Sequence, residues 1–594
     1  MTTLAAGAST AIAIPLGSSI KINGSATAVV NNQPQVITNS GLIGPFSGAV
    51  TAYLTASSAV DYSVITQNNT TAAAQYGGPM SQAEIDNLNA AVAAGKITLP
   101  TSFSVFNTTT NTLWRFNGVA LVDSSGTLVA PPDGFTFPFA TIPFPLSKVG
   151  GVYSTTVSAR DYFDPACWTG PCYNVDPRVG SDANTGIGNY DGDFKAATSI
   201  ATYGKAITLG NAGGIPYRIA FPANLTLSLS DLLFGGVPVL PTQTVHLMSI
   251  GGIPYASATN TGRATLSVHA NITFALDTGT TYVGTAPNTS PTNPVGRVVH
   301  IDVLNGDGDY LDLTVAASAV ACRATVGSTF VDTTTTPNTV YVNRADGAVA
   351  TSANTRAYVR QLVLGVNGTF VNKRYTFERI SWAGGNGSGA VVFAPNNSTA
   401  IFAGIDTDAR YAGATNGNGF GVAGGRLSIL ENWTCSGNQS DGYNVHDINN
   451  NGTVAISIRG NAYDNGRTGS TSCNGFTCHD GVRFIDFLPN YYDNFGGNSA
   501  HVSTGVGGTG ETQGWTIGGF IGQSRGNPPG SSTLRQSVWA GGARLWFDGT
   551  RIAGATALNA DAAGGNGLPG TILLRNCTVQ GAQITAGGST ISTY

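Results

Sequence analysis

Residues 426–434 read RLSILENWT. Five later stretches repeat that texture: VAISIRGNAY (454–463), GVRFIDFL (481–488), GWTIGGFI (514–521), ARLWFDGTRI (543–552) and TILLRNCTV (571–579). Each sets apolar residues around a polar one and sits beside a Gly- or Asn-rich turn. The apolar alternation has period two, so the units are strands. With Leu430, Ile458, Ile485, Ile517, Phe547 and Leu574 as markers, the spacings are 28, 27, 32, 30 and 27 residues. A near-constant period in that range marks a stacked repeat. Strand units of this length predict a parallel β-helix (a solenoid) with about three strands per coil, in which like residues, Asn among them, stack from coil to coil.

Composition agrees with an all-β chain. Charged residues are 10% of 594, against roughly 25% in an ordinary globular protein. The 79 Gly and abundant Thr and Asn favour short strands and tight turns over helix. Disorder is disfavoured by 41% hydrophobic residues, with 25 Phe, 21 Tyr and 7 Trp. Net charge is −4 without a basic run, which argues against nucleic acid or an anionic membrane as partner. No apolar run reaches the roughly 18 residues of a membrane span. The start, MTTLAAGASTAIAIPLGSSIKING, lacks a basic n-region and alternates like a strand, so it is not read as a signal peptide.

Of the 7 Cys, Cys167 and Cys172 (CWTGPC) and Cys473 and Cys478 (CNGFTC) stand close. Each pair closes a small disulfide loop or stays as free thiols. Finger-like ligand spacing, a phosphate-loop Lys and a GxSxG elbow are all missing, so no metal and no cofactor is expected. NGDGDYLD (305–312) alternates oxygen ligands as calcium loops do but lacks the distal Glu, and a turn between strands is the favoured reading.

Three regions follow from the texture. Residues 1–70 read as a small β module with strands at AIAIPL, SIKING, TAVV, QVIT and VTAYLTA. Residues 71–148 hold a helix, capped by S-Q-A-E at 81–84 and stopped near Gly95, then a hairpin across SFSVFNTTTNTLWRF and a Pro-rich linker. Residues 149–594 form the solenoid, entered through one short helix, with the strand period running to about residue 580.

This arrangement resembles bacteriophage tailspikes. Small N-terminal β modules precede a long repetitive body. DPRVGSDANTGIGNYDGDFKAATSIATYGKAITLGNAGG (176–214) resembles the entry into pectate-lyase-like β-helices, and DGYNVHD (441–447) and TCHDG (477–481) resemble segments of tailspike-like bodies. The resemblance implies a right-handed parallel β-helix. It also implies a homotrimer made in the host cytoplasm and carried on the virion, joined to tail or baseplate proteins through its N-terminus. Such a protein binds a bacterial surface polysaccharide, and many members of the family cleave it. The alternatives are a lectin-like tail protein without catalysis and a structural spacer.

Two of the 6 His are each followed by Asp, 33 residues apart: His446-Asp447 and His479-Asp480. At about one coil apart they are expected on neighbouring rungs, about 4.8 Å from each other. The stretch from Glu431 to His501 concentrates ionisable groups: Glu431, Asp441, His446, Asp447, Asp464, His479, Asp480, Arg483, Asp486, Asp493 and His501. Glycan hydrolysis needs an acid and a base or nucleophile, usually two carboxylates. Asp441 and Asp480 are the expected pair, with His446 and His479 setting protonation or binding substrate. Arg483 is expected to hold an acidic sugar, Trp433 and Tyr443 to stack on sugar rings, and Glu431 to join them. For each Asp the alternative is a plain Asp-Gly turn, and for His446 a hydrogen-bonded corner residue.

Overall fold

Strand after strand, from Cys172–Asn174 to Thr590–Thr593, pairs with a strand one coil further on. Nearly all of these pairings are parallel, and together they wind a single 30-stranded sheet into a right-handed solenoid. The computed structural model describes residues 152–593 apart from 188–193, 195, 251–261, 387, 397–398, 414–416, 468–471, 504–509, 527–535 and 564–566. Before 152 it describes a set of strands, one helix and scattered neighbours. Contacts divide the chain into two compact units, one made mainly of residues 1–129 and one carrying the solenoid.

The first unit is β-rich. Two four-stranded sheets interleave in sequence: one holds Thr2–Leu4, Val60–Thr66, Ser18–Asn23 and Ser40–Ile43, the other Ser9–Ile14, Val50–Ala56, Ala26–Val30 and Gln33–Ile37. The expected helix is Gln82–Ala93, and the expected hairpin pairs Ser104–Asn107 with Thr112–Phe116. Ser81 and Gly95, its expected cap and stop, lie outside the described residues.

Each solenoid coil has three walls. Wall A carries Arg374–Glu378, Val454–Ile458, Arg483–Phe487, Gln513–Ile517 and Arg544–Asp548. Wall B carries Ile380–Gly384, Asn461–Tyr463, Asn490–Tyr491 and Phe520–Ile521, while Ile401–Arg410 and Leu427–Ser436 each serve A and then B. Wall C carries Val391–Phe393, Phe420–Ala423, Tyr443–His446, Phe476–His479 and Ser499–Val502. The coil length agrees with the sequence period, but the markers mix two faces. Leu430 pairs through Ser457, Asp486 and Thr516 to Phe547 and Leu574, so Ile458, Ile485 and Ile517 each stand one residue off that ladder.

From the coil of Arg374–Glu378 onward, one αL residue turns wall A into wall B. Arg379, Asp406, Asn432, Arg459, Leu488, Gly518, Gly549 and Asn576 all have φ between 49° and 66°. From B to C the turn is stitched by a buried asparagine ladder. Asn438 Nδ2 donates to Asn465 Oδ1, Asn465 Nδ2 to Asn494 Oδ1, and Asn494 Nδ2 to Asn498 Oδ1, each at 2.8 Å. The interior is filled by inward rings, among them Tyr375, Phe377, Trp382, Phe402, Phe420, Trp433, Tyr443 and Phe476. Gly514 belongs to this packing, since a Cβ there would lie 1.8 Å from the Phe484 ring. Six of the seven cysteines are buried, and neither close pair is bridged by a disulfide.

Two features position the outer surface. The entry helix Tyr203–Gly213, capped by Thr202 and ended by Gly214 in αL, covers the first coils. Ahead of it, residues 153–160 run across several rungs at the A–B corner. Tyr153 Oη donates to Asp548 Oδ1 at 2.8 Å, Ser158 Oγ to Glu431 Oε2 at 2.6 Å, and Arg160 Nη2 pairs with Glu378 Oε1 at 2.6 Å. The second feature, which the period did not foretell, is an excursion between Ala270 and Gly365. It carries a five-stranded sheet of its own and an antiparallel set, Val295–Leu304 with Tyr310–Asp312 and Thr355–Val359, lying beside Ala264–Ala270.

Candidate functional site

His446 and His479 occupy paired positions on neighbouring rungs of wall C, with ring centroids 4.4 Å apart and planes 6° from parallel. Asn444 and His446 point outward because Tyr443 and Val445 fill the interior. His446 Nδ1 and Asp480 Oδ2 share a hydrogen bond of 2.7 Å. Asp480 reaches back to the earlier rung from an αL turn, φ 66°.

The expected carboxylate pair is not presented to a substrate. Asp441 is fully buried and accepts from Ser472 Oγ at 2.6 Å, Asn474 N at 2.7 Å and Asn444 Nδ2 at 2.6 Å. Burial raises its pKa, and these three bonds oppose the rise. Asp480 is buried as well. Trp433 and Tyr443 are corrected more strongly. Both lie inside the coil at 0% exposure, where Trp433 Nε1 donates to Ser457 Oγ and Tyr443 packs on Phe476, so neither offers a face to a sugar. Glu431 stands at the A–B corner, buried under Ser158 and Arg459. Arg483 is exposed on wall A. Of the eight expected residues, the structure brings His446, His479 and Asp480 into contact and sets Asp441 close to His446.

A different surface has an open cavity. Where the excursion meets wall B, a cleft of about 260 Å³ is lined by Thr226, Thr265, Ser381, Asp408, Arg356 and Arg410, with Tyr310, Tyr358 and Tyr411. Its floor is a register row, Thr226 to Thr265 to Ser381 to Asp408, one residue per coil. Asp408 accepts from Arg263 at 3.1 Å, from Arg410 Nε at 3.0 Å and from Ser381 Oγ. The tyrosines form a three-ring stack with Tyr411 in the middle, 4.9 Å from Tyr310 and 5.5 Å from Tyr358. Tyr310, half-buried, is its outer ring.

Behind the cleft lies a second carboxyl group. The stretch 305–309 is the hairpin turn between Leu304 and Tyr310, held by Asn305 Oδ1 accepting from the Asp307 and Asp309 amides. Its carboxyl groups engage basic and hydroxyl groups. Asp307 pairs with Arg525 at 2.5 Å, and Asp309 accepts from Arg410 at 3.1 Å, Ser436 at 2.9 Å and Tyr411 at 3.2 Å. Burial raises the Asp309 pKa, with Arg410 and Ser436 opposing and Asp464 adding to the rise. One guanidinium, Arg410, therefore binds both Asp309 and Asp408.

Beyond the cleft the outward row of wall B continues as Thr434, Asn461, Asn490 and Phe520. Beside it Tyr463 and Tyr492 stack with centroids 5.4 Å apart, and Arg551 lies over Phe520. His and Asp density in the sequence does not point to this surface, whose residues come from eight coils and an insertion. The signal present was NGDGDYLD, where three carboxylates crowd a strand end within a low-charge chain.

No family model and no curated protein matches this chain. Two solved structures are similar in fold. A complex of XylC with xylose shares 10% identity over 69% of this chain and 68% of its own, with a TM-score of 0.39. A glycoside hydrolase shares 10% identity over 71% of this chain and 96% of its own, with a TM-score of 0.32. Likeness at this level carries no argument about this chain.

Proposed function

We propose that the solenoid binds a bacterial surface polysaccharide along wall B, with the excursion cleft seating one sugar ring. The observation that supports this best is the outward row from Thr226 to Phe520, polar up to its last member and at least half-exposed except at Asp408, flanked by the Tyr463 and Tyr492 rings and headed by a cavity. Sugars are recognised by such mixtures of hydrogen-bonding groups and flat apolar faces. At about 260 Å³ the cleft is just below the size of drug-binding pockets, which suits a single ring. The tailspike resemblance supplies the setting: attachment to a virion through the N-terminal unit, and association of three copies.

Cleavage is the second reading, favoured by Asp309 and Asp408 on one guanidinium. A buried carboxyl group with a raised pKa beside a second carboxylate is the division of labour that glycoside hydrolysis uses. The test is incubation of the purified protein with a panel of bacterial polysaccharides, reading binding by sedimentation and cleavage by new reducing ends. Binding that Tyr463→Ala with Tyr492→Ala weakens supports the wall. Absence of binding across the panel removes the reading. A monomer by light scattering at micromolar concentration removes the trimeric part.

A further inference from the structure

Four arginines surround the cleft, and three of them are neutralised by carboxylates. Arg263 and Arg410 pair with Asp408, Arg410 also with Asp309, and Arg297 with Asp312 at 2.5 Å. Arg356 is the exception. It lines the cavity, half-buried, and among the described residues no carboxylate reaches it within an ion-pair distance. Its Nε is buried without a hydrogen-bond partner. Arg356 sits on Thr355–Val359, paired with Val299, one residue before the inward Ala357 and two before Tyr358. Position thus fixes its side chain beside the tyrosine stack.

A cation withdrawn from water without a counter-charge is costly, and that cost is recovered when an anion arrives. The guanidinium fork matches a carboxylate with two parallel bonds. The cavity floor offers the hydroxyls of Thr226, Thr265 and Ser381, suited to the hydroxyls of a sugar, and the Tyr310 ring supplies a flat flank. Asp408 opposes any second negative group at its own end, which sets polarity: carboxylate toward Arg356, hydroxyls toward the floor.

We infer that the cleft selects a carboxylated sugar, a uronic or nonulosonic acid residue of the polysaccharide, through Arg356. This rests on the proposed glycan-binding function and names the class of glycan.

The test uses the full chain against a panel of acidic bacterial polysaccharides, each beside its carboxyl-reduced form, with affinity read by titration. The inference expects at least one acidic member to bind, carboxyl reduction to weaken it tenfold or more, and Arg356→Gln to weaken it by a similar factor. Arg356→Lys should recover only part, because an ammonium lacks the fork. Arg426→Gln, an exposed arginine in the turn just before the strand Leu427–Ser436, should bind as the wild type and serves as the charge control. Equal binding of native and reduced glycans, or an Arg356→Gln variant that binds undiminished, overturns the acidic-sugar assignment and leaves the glycan-binding reading standing. No binding to either form across the panel overturns both. Thermal melting of each variant separates misfolding from lost recognition. A loss in Arg356→Gln that is equal for native and reduced glycans assigns Arg356 to packing and overturns the inference.

Discussion

His446 and His479 lie face to face one rung apart, and the Asp480 carboxylate that follows the second histidine turns back to hold the first. The repeated His-Asp pair thus works as a stitch between coils. Asp480→Asn is expected to lower stability by about 1–2 kcal/mol, because it exchanges a charge-assisted bond for a neutral one while keeping a residue that tolerates αL. Chemical denaturation measures this. Glycan binding and any cleavage should be unchanged, and a catalytic loss in Asp480→Asn would return the wall C site to consideration.

The asparagine ladder should be costly to interrupt. Asn465 accepts from Asn438 and donates to both Asn494 and the Cys435 carbonyl, with no exposure. Asn465→Ala leaves buried groups unpaired at about 1–3 kcal/mol each. Asn461→Ala, on the outward row of wall B, should stay within about 0.5 kcal/mol. Equal melting temperatures for the two variants would contradict the ladder's role.

The crossing segment contributes through one buried ion pair. Burial would raise the Glu378 pKa, yet Arg160 and Arg379 outweigh it and hold the carboxyl group at about 2. Removing one partner strands the other charge, so Arg160→Met should destabilise by about 3–5 kcal/mol. Because the folded-state pKa is depressed, this contribution is present above the unfolded value near 4.5 and disappears as pH falls toward 2. Wild type and Arg160→Met should therefore converge in stability in acid, as pH-dependent unfolding would reveal.

Asp486 works in the opposite direction. It lies inside the coil, bonded to Tyr491 Oη at 2.9 Å, and burial pushes its pKa up to about 7. The unfolded chain ionises first, so stability is greatest below about pH 4 for this group and falls as pH rises toward 7. Asp486→Asn should flatten that fall, which is on the order of 2–4 kcal/mol. Melting temperature followed from pH 4 to pH 8 in both proteins checks the sign.

The period-two texture of RLSILENWT and its successors determined the solenoid and its coil length, because alternation and spacing are local properties of a chain that must bury one face of every strand. Local chemistry also placed the entry helix and the N-terminal hairpin. Register was decided only by packing. Ile458, Ile485 and Ile517 resemble core markers in sequence, but wall A carries apolar residues on both faces, so hydrophobicity alone does not say which side each takes. For the same reason Trp433 and Tyr443 gave no sign of being interior. The cleft was further from view. Arg356, Tyr310 and Asp408 are distant along the chain and meet because an excursion folds back onto wall B, and the distribution of counter-charges that leaves Arg356 without a carboxylate among the described residues exists only once those segments are assembled.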